Sequence, residues 1–155
     1  MAKYIYKGHA ITGGSGDGTA LKTNSFKPIC AVGKKEIKSA LSASWINADP
    51  NSDIGTTILT DKVLFLKDIA TDGYSEAILN KAVQTGKSPL ALLFSGKVSD
   101  RIADMAIFTF LSAEKGIIVV DELGEKIVDF VNNGDKIIIK EDGTVIVEKI
   151  TALSV

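Results

Sequence analysis

The chain has little of what builds a covalent or metal framework. Its one cysteine, Cys30, has no partner for an internal disulfide, and a single thiolate holds neither a structural zinc nor an iron–sulfur cluster. Histidine is equally scarce. His9 stands alone in the sequence, and because lone histidines rarely act without orienting partners, its plain reading is a strand or surface residue. An excess of either charge is also missing: 18 Lys and Arg against 19 Asp and Glu leave a formal net charge of −1. That gives no electrostatic basis for nucleic acid or an anionic membrane as the main partner. No apolar run is long enough to span a bilayer, and the amino terminus MAKYIYKGHA lacks the apolar core of a secretory signal. A cytoplasmic protein is expected.

What is present is 155 residues, 45% hydrophobic and 24% charged, which fits one globular domain over 1–155 with a sizeable core. Its centre is Asp61 to Phe94. Lys62 to Lys67 is an apolar run with charged ends, Ser75 to Gln84 repeats Ala77, Ile78, Ala82 and Val83 at helical spacing, and Leu90 to Phe94 is apolar again. Such runs suit buried parallel strands joined by a crossover helix. The pattern then repeats. Ser99 or Asp100 caps a helix from Arg101 to Lys115 with apolar residues around most of its circumference, a mark of a largely buried helix. Gly116 fits as its C′ residue, and Ile117 to Asp121 reads as another buried strand. The result is a three-stranded parallel β-α-β-α-β core with right-handed crossovers.

Around that core the signals are antiparallel. Glu122 to Asn132 reads as a short helix, and Lys136 to Lys140 and Thr144 to Lys149 as a hairpin turned at Glu141-Asp142-Gly143. Near the start, Tyr4 to Thr12 and Thr19 to Thr23 are β-prone segments flanking Gly13-Gly14-Ser15-Gly16-Asp17-Gly18, which predicts a hairpin or β-arch. That glycine loop matches neither a Walker loop nor a dinucleotide fingerprint. It is either a plain turn or a loop that faces a ligand. Between 26 and 60 the boundaries are weak: a strand at Pro28 to Val32, a helix over Lys35 to Ser44, Trp45 as a packing anchor, and a strand at Ile54 to Leu59. Asp68, Asp72 and Asp100 read as turn and cap residues, and no metal site is assigned.

The best place for a ligand is the loop Lys67-Asp68-Ile69-Ala70-Thr71-Asp72-Gly73-Tyr74, at the carboxyl end of a strand and the amino end of a helix. Lys67 is either a cation that balances an anion there or, as is usual for a lysine at a strand end, simply solvated. The order of parts resembles the swivelling β/β/α domain, most closely the small-subunit swivel domain of the aconitase X family. The resemblance is carried by Lys7 to Leu21 with its glycines, the Lys62 to Leu66 strand and its loop, Gly116-Ile117-Ile118-Val119-Val120-Asp121, and the closing Gly134-Asp135-Lys136-Ile137-Ile138-Ile139. It covers nearly the whole chain and implies an α/β fold in which the antiparallel strands form an added layer or barrel from both termini.

The resemblance also implies a function. Small subunits of that family cap a large subunit that carries an iron–sulfur cluster, and the pair dehydrates a small anionic hydroxy acid such as phosphomevalonate or a hydroxyproline. A large aconitase-X-type subunit would then supply the cluster, with Gly13, Gly14, Ser15, Lys67, Asp72 and Gly73 facing substrate. The family loop reads Gly-x-Gly-Ser-[Ser/Thr]-x-Gly-Ser, its first serine being the proposed proton acceptor. Aligned on Gly73, that position is Ala70 here, which has no proton to exchange. Either Thr71 or Ser75 takes over as the catalytic hydroxyl, or the chain is a divergent swivel-like domain that binds a partner or small anion without catalysis. The segment Trp45-Ile46-Asn47-Ala48-Asp49-Pro50 is similar to the family's Trp-Gly-Gly-x-Asp-Pro but lacks both glycines. The phosphohistidine swivel domains share the fold, but they need a histidine before a core helix, whereas His9 lies in the first strand.

Overall fold

The computed structural model describes residues 3–23, 25–26, 59–69, 79–80, 82–84, 86, 88–114 and 116–150. The readings over 28–58, Trp45 included, lie outside the described residues. Among the described residues, the elements with defined bounds are β1 Lys3–Lys7, β2 His9–Ala10, β3 Gly16–Lys22, β4 Ser25–Phe26, β5 Lys62–Leu66, β6 Asp68–Ile69, β7 Ala91–Phe94, α1 Asp100–Leu111, β8 Ile118–Asp121, α2 Glu125–Phe130, β9 Lys136–Ile139 and β10 Thr144–Glu148. Residues 79–80 and 82–84, from the stretch with helical spacing, are helical.

Eight strands form one sheet in the order β1-β10-β9-β3-β5-β7-β8-β2. Its two edges are the two halves of one segment. β1 pairs antiparallel with β10, and after Gly8 the chain continues as β2, antiparallel to β8. The sheet therefore curls round and closes into a barrel. Gly8 makes the corner possible, since a Cβ there would lie 2.6 Å from Val120 Cγ1 and 2.9 Å from the Asp121 carbonyl oxygen. Gly8 N–H donates to the Gly143 carbonyl at 3.0 Å, tying this corner to the β9–β10 hairpin. Of the two arrangements open from the sequence, layer or barrel, the barrel is the one formed.

The parallel core has a fourth member. β3 pairs parallel with β5 and antiparallel with β9, so it joins β5, β7 and β8 rather than forming a hairpin with the first strand. Gly16, Asp17 and Gly18 remove the apolar run that marks such a strand, which is why the sequence predicts only three. Along β5, β7 and β8 both faces are buried. Val63, Phe65, Ala91, Leu93, Ile118 and Val120 point into the barrel with Ile137, Ile139, Val145 and Val147. Leu64, Leu66, Leu92, Phe94 and Val119 face the helical layer, against Leu79, Ala82, Val83, Ile102 and Ala106. Burying each such side chain contributes about 1.5–3 kcal/mol, so this two-sided core dominates the stability.

Helix α1 differs from expectation. Ser99 caps it, its Oγ accepting from Ile102 N–H at 3.3 Å, but only Ile102, Ala106 and Thr109 are buried, while Ile107, Phe108 and Leu111 are exposed. The helix lies on the surface of the core with one face inward. It ends at Ser112, so Gly116 is not its C′ residue. Gly116 is needed for close approach, since a Cβ there would sit 2.5 Å from Phe110 Cα.

The Gly134-Asp135 pair has a physical role as well. Gly134 takes φ +97°, in the left-handed region, and Asp135 is 2% exposed. Its carboxylate accepts from Lys149 Nζ at 2.8 Å, Asn132 N–H at 2.9 Å and Ile150 N–H at 3.1 Å. Burial alone would raise its pKa. The three donors outweigh burial and hold the carboxyl below the usual range. Asp135 thus pins the end of α2 to the end of β10.

Candidate functional site

Because β3, β5, β7 and β8 run parallel, their carboxyl ends share one rim of the barrel. There backbone bonds hold the turn after β7 against the turn after β8. Glu122, Leu123 and Gly124 donate N–H to the carbonyls of Gly96, Phe94 and Ser95 at 3.0, 3.2 and 2.8 Å. Thr23 N–H donates to the Phe65 carbonyl at 3.0 Å, extending the β3–β5 pairing to the rim. A cleft of about 220 Å³ opens here, bounded by Lys22, Thr23, Lys67, Ser95, Glu125 and Asp129 over a floor of Phe65 and Leu66. Lys22 Nζ donates to the Val128 carbonyl at 3.1 Å, so its ammonium is committed to α2. Lys67 is exposed, and among the described residues it makes no hydrogen bond or ion pair. It is the cleft's available cation.

Lys67 is a bend rather than the start of a long loop. β5 ends at Leu66, and Asp68–Ile69 continues as β6, paired parallel with β4. The pair draws the chain after β5 alongside the chain after β3. Ala70, Thr71, Asp72, Gly73 and Ser75 lie outside the described residues. Gly13, Gly14 and Ser15 are not beside Lys67. They precede β3 at its amino end, and β3 runs about 20 Å from Gly16 to Lys22 at the usual rise per residue. At that opposite rim the glycines serve packing: a Cβ on Gly14 would lie 2.7 Å from Ile118 Cγ1, and one on Gly18 would lie 2.7 Å from the Asp61 carbonyl oxygen. Gly16, Gly18 and Ala20 recur every second residue on the inward face of β3, which thins the barrel wall at Leu90, Val63 and Ile118.

A second arrangement on the carboxyl rim escapes sequence reasoning. His9 Nδ1 lies 2.8 Å from Asp121 Oδ1, and Asp121 Oδ2 accepts from Val98 N–H at 3.0 Å. The Asp121 side chain is 3% exposed and that of His9 63%, so a buried carboxylate orients an exposed ring. Glu122 Oε2 is 3.6 Å from the same Nδ1. The two partners are 112 residues apart, brought together only by the β2–β8 pairing. The available signal was the aspartate ending an apolar strand, an acid placed where buried runs normally stop. Beside it lies a cavity of about 320 Å³ with Lys97, Asp100, Ala103 and Ile107 in its wall.

No protein-family model matches the sequence, and no curated protein matches it. Among solved structures, a chain of Thermococcus kodakaraensis aconitase X in its holo-form superposes with a TM-score of 0.73 at 20% identity, covering 94% of this chain and 99% of that one. This chain has the fold of that aconitase X chain. A UPF0107 protein solved by NMR superposes with a TM-score of 0.68 at 21% identity, over 96% of this chain and 100% of the other. The aconitase X likeness read from the sequence therefore holds for the fold, over essentially the full length of both chains. At such identity it is a likeness of backbone, and chemistry must be argued from side chains. Among the described residues no helix is long and apolar enough to cross a membrane.

Proposed function

We propose that this chain is the small swivel subunit of a heteromeric aconitase-X-type hydro-lyase, which caps a large subunit and helps dehydrate a small anionic hydroxy acid. The observation that carries this reading is the match over 94% of this chain and 99% of the aconitase X chain, with no large unmatched segment on either side. The carboxyl rim supports it, because open α/β sheets take ligands there and Lys67 stands there exposed, without an ion pair among the described residues. The iron–sulfur cluster belongs to the partner. Cys30 is this chain's only thiol, and a cluster needs about four cysteine ligands.

Within this reading, Lys67 pairs with the substrate carboxylate or phosphate, and capping by the partner removes water so that the pair strengthens. Asp72 and Gly73 of the following segment contact the substrate. Thr71 or Ser75 supplies the hydroxyl that Ala70 lacks. A second reading, a swivel-like domain that binds a partner or small anion without catalysis, is favoured by Ala70 itself. Purifying the tagged chain from its native source separates the two. The hydro-lyase reading expects a stoichiometric large partner containing iron and sulfide, and a complex that dehydrates a hydroxy acid. Recovery of the chain without such a partner would overturn it, and a stable complex with no turnover would favour the second. Thr71→Val and Ser75→Ala in the active complex then assign the hydroxyl, since a variant with unchanged turnover leaves the mechanism.

A further inference from the structure

We propose that His9, Asp121 and Glu122 form a binding site for a divalent first-row transition metal such as Zn²⁺ or Co²⁺, at the seam where β2 meets β8. This goes beyond the proposed function and does not depend on it.

The donors are of the right kind and already close. One ring nitrogen and two carboxylate oxygens lie within 4.8 Å of one another, with Nδ1 2.8 Å from Asp121 Oδ1 and 3.6 Å from Glu122 Oε2. Metal–ligand bonds of about 2.0–2.2 Å place neighbouring donors roughly 3.0–3.4 Å apart. The two separations from Nδ1 fall either side of that range, and the exposed His9 and Glu122 side chains can turn to bring all three donors onto one ion. Asp121 is also held from behind. Val98 N–H fixes Oδ2 at 3.0 Å, leaving Oδ1 aimed at the site, the kind of outer-shell support that orients metal ligands. To coordinate, Nδ1 must be free of a proton, so any proton it holds leaves to solvent or to Nε2 and the metal takes its place beside Oδ1.

Charge and space favour a cation over an anion. Asp100 and Asp121 face Lys97 around the neighbouring cavity of about 320 Å³, and Glu122 adds a third carboxylate beside His9. Three protein donors on one side leave the remaining coordination positions open toward that cavity for water or a small ligand, as in open metal sites. Imidazole selects zinc, cobalt or nickel over magnesium and calcium, which take oxygen donors.

The test uses the untagged full-length chain. Titration with Co²⁺, read by visible absorption, and with Zn²⁺, read by calorimetry, should show one equivalent bound, with Mg²⁺ giving no signal. His9→Gln should weaken binding at least tenfold and Glu122→Gln by a smaller factor. Both positions are exposed enough to leave the fold intact. Zn²⁺ should raise the Tm of the wild type and not of His9→Gln. Absence of binding overturns the proposal, as does binding unchanged in His9→Gln, or binding that survives His9→Gln and disappears in Cys30→Ser. A Tm loss in His9→Gln that is the same with and without Zn²⁺ would make the contact an ion pair that only closes the barrel.

Discussion

At the amino rim of the parallel strands, glycines are spent on contact. Gly14, Gly16 and Gly18 let Ile118, Leu90 and the Asp61 carbonyl approach closer than a side chain would allow, and the larger cavity beside them, about 510 Å³, is lined by Asp61, Gln84, Ser88, Ser112 and Glu114 without a described cation. At the carboxyl rim the polar groups are held and aimed: Lys22 on the Val128 carbonyl, Asp121 on His9 and Val98, and Asp135 on three donors, with Lys67 exposed between them. Cavity size is therefore a poor guide in this fold. Among the described residues the larger opening has no cation, whereas the smaller one has Lys67, which pairs with none of them, at the carboxyl ends of parallel strands.

Substitutions can break this contrast. The largest effect is expected at Asp135. Asp135→Ala leaves two backbone N–H groups without their acceptor and Lys149 with only the Phe130 carbonyl, and should cost about 2–4 kcal/mol in a denaturation experiment. The pH dependence has a definite sign: a carboxyl whose folded pKa lies below its unfolded value contributes above the unfolded pKa and loses that contribution as pH falls through the folded one. The stability gap between wild type and Asp135→Asn should therefore be full at neutral pH and narrow in acid. Gly18→Val should cost about 1–3 kcal/mol by overpacking, while Gly13→Ala, where an added Cβ meets nothing within 4 Å, should stay within about 0.5 kcal/mol. If Gly13→Ala instead abolished activity in the complex, the division between rims would fail. Lys67→Met should leave Tm unchanged and raise the KM of an active complex about tenfold, the equivalent of about 1.4 kcal/mol for one lost charge-assisted contact.

How much of this was legible depends on where the signal resides. β5, β7 and β8 were readable because strands buried on both faces spell continuous apolar runs, and the β9–β10 hairpin because Asp142-Gly143 marks its turn. β3 was hidden by its own packing: the glycines that let it sit inside the barrel wall erase the hydrophobic pattern. The outward face of α1 was misjudged because Ile107, Phe108 and Leu111 are apolar yet exposed. Lys67 was placed correctly at a strand end, whereas the glycine loop was assigned to the same site although β3 carries it to the other rim. His9 and Asp121 could not be joined from sequence, since their contact is a product of barrel closure.

The central claim is that the carboxyl rim is the working end, covered by a large partner. Backbone hydrogen exchange of the chain alone and in complex with the large partner that the proposed function expects tests this most directly. Added protection is expected at 22–23, 66–67, 95–98 and 121–125, with 13–16, 86–90 and 112–116 unchanged. Protection confined to the second set would contradict the account.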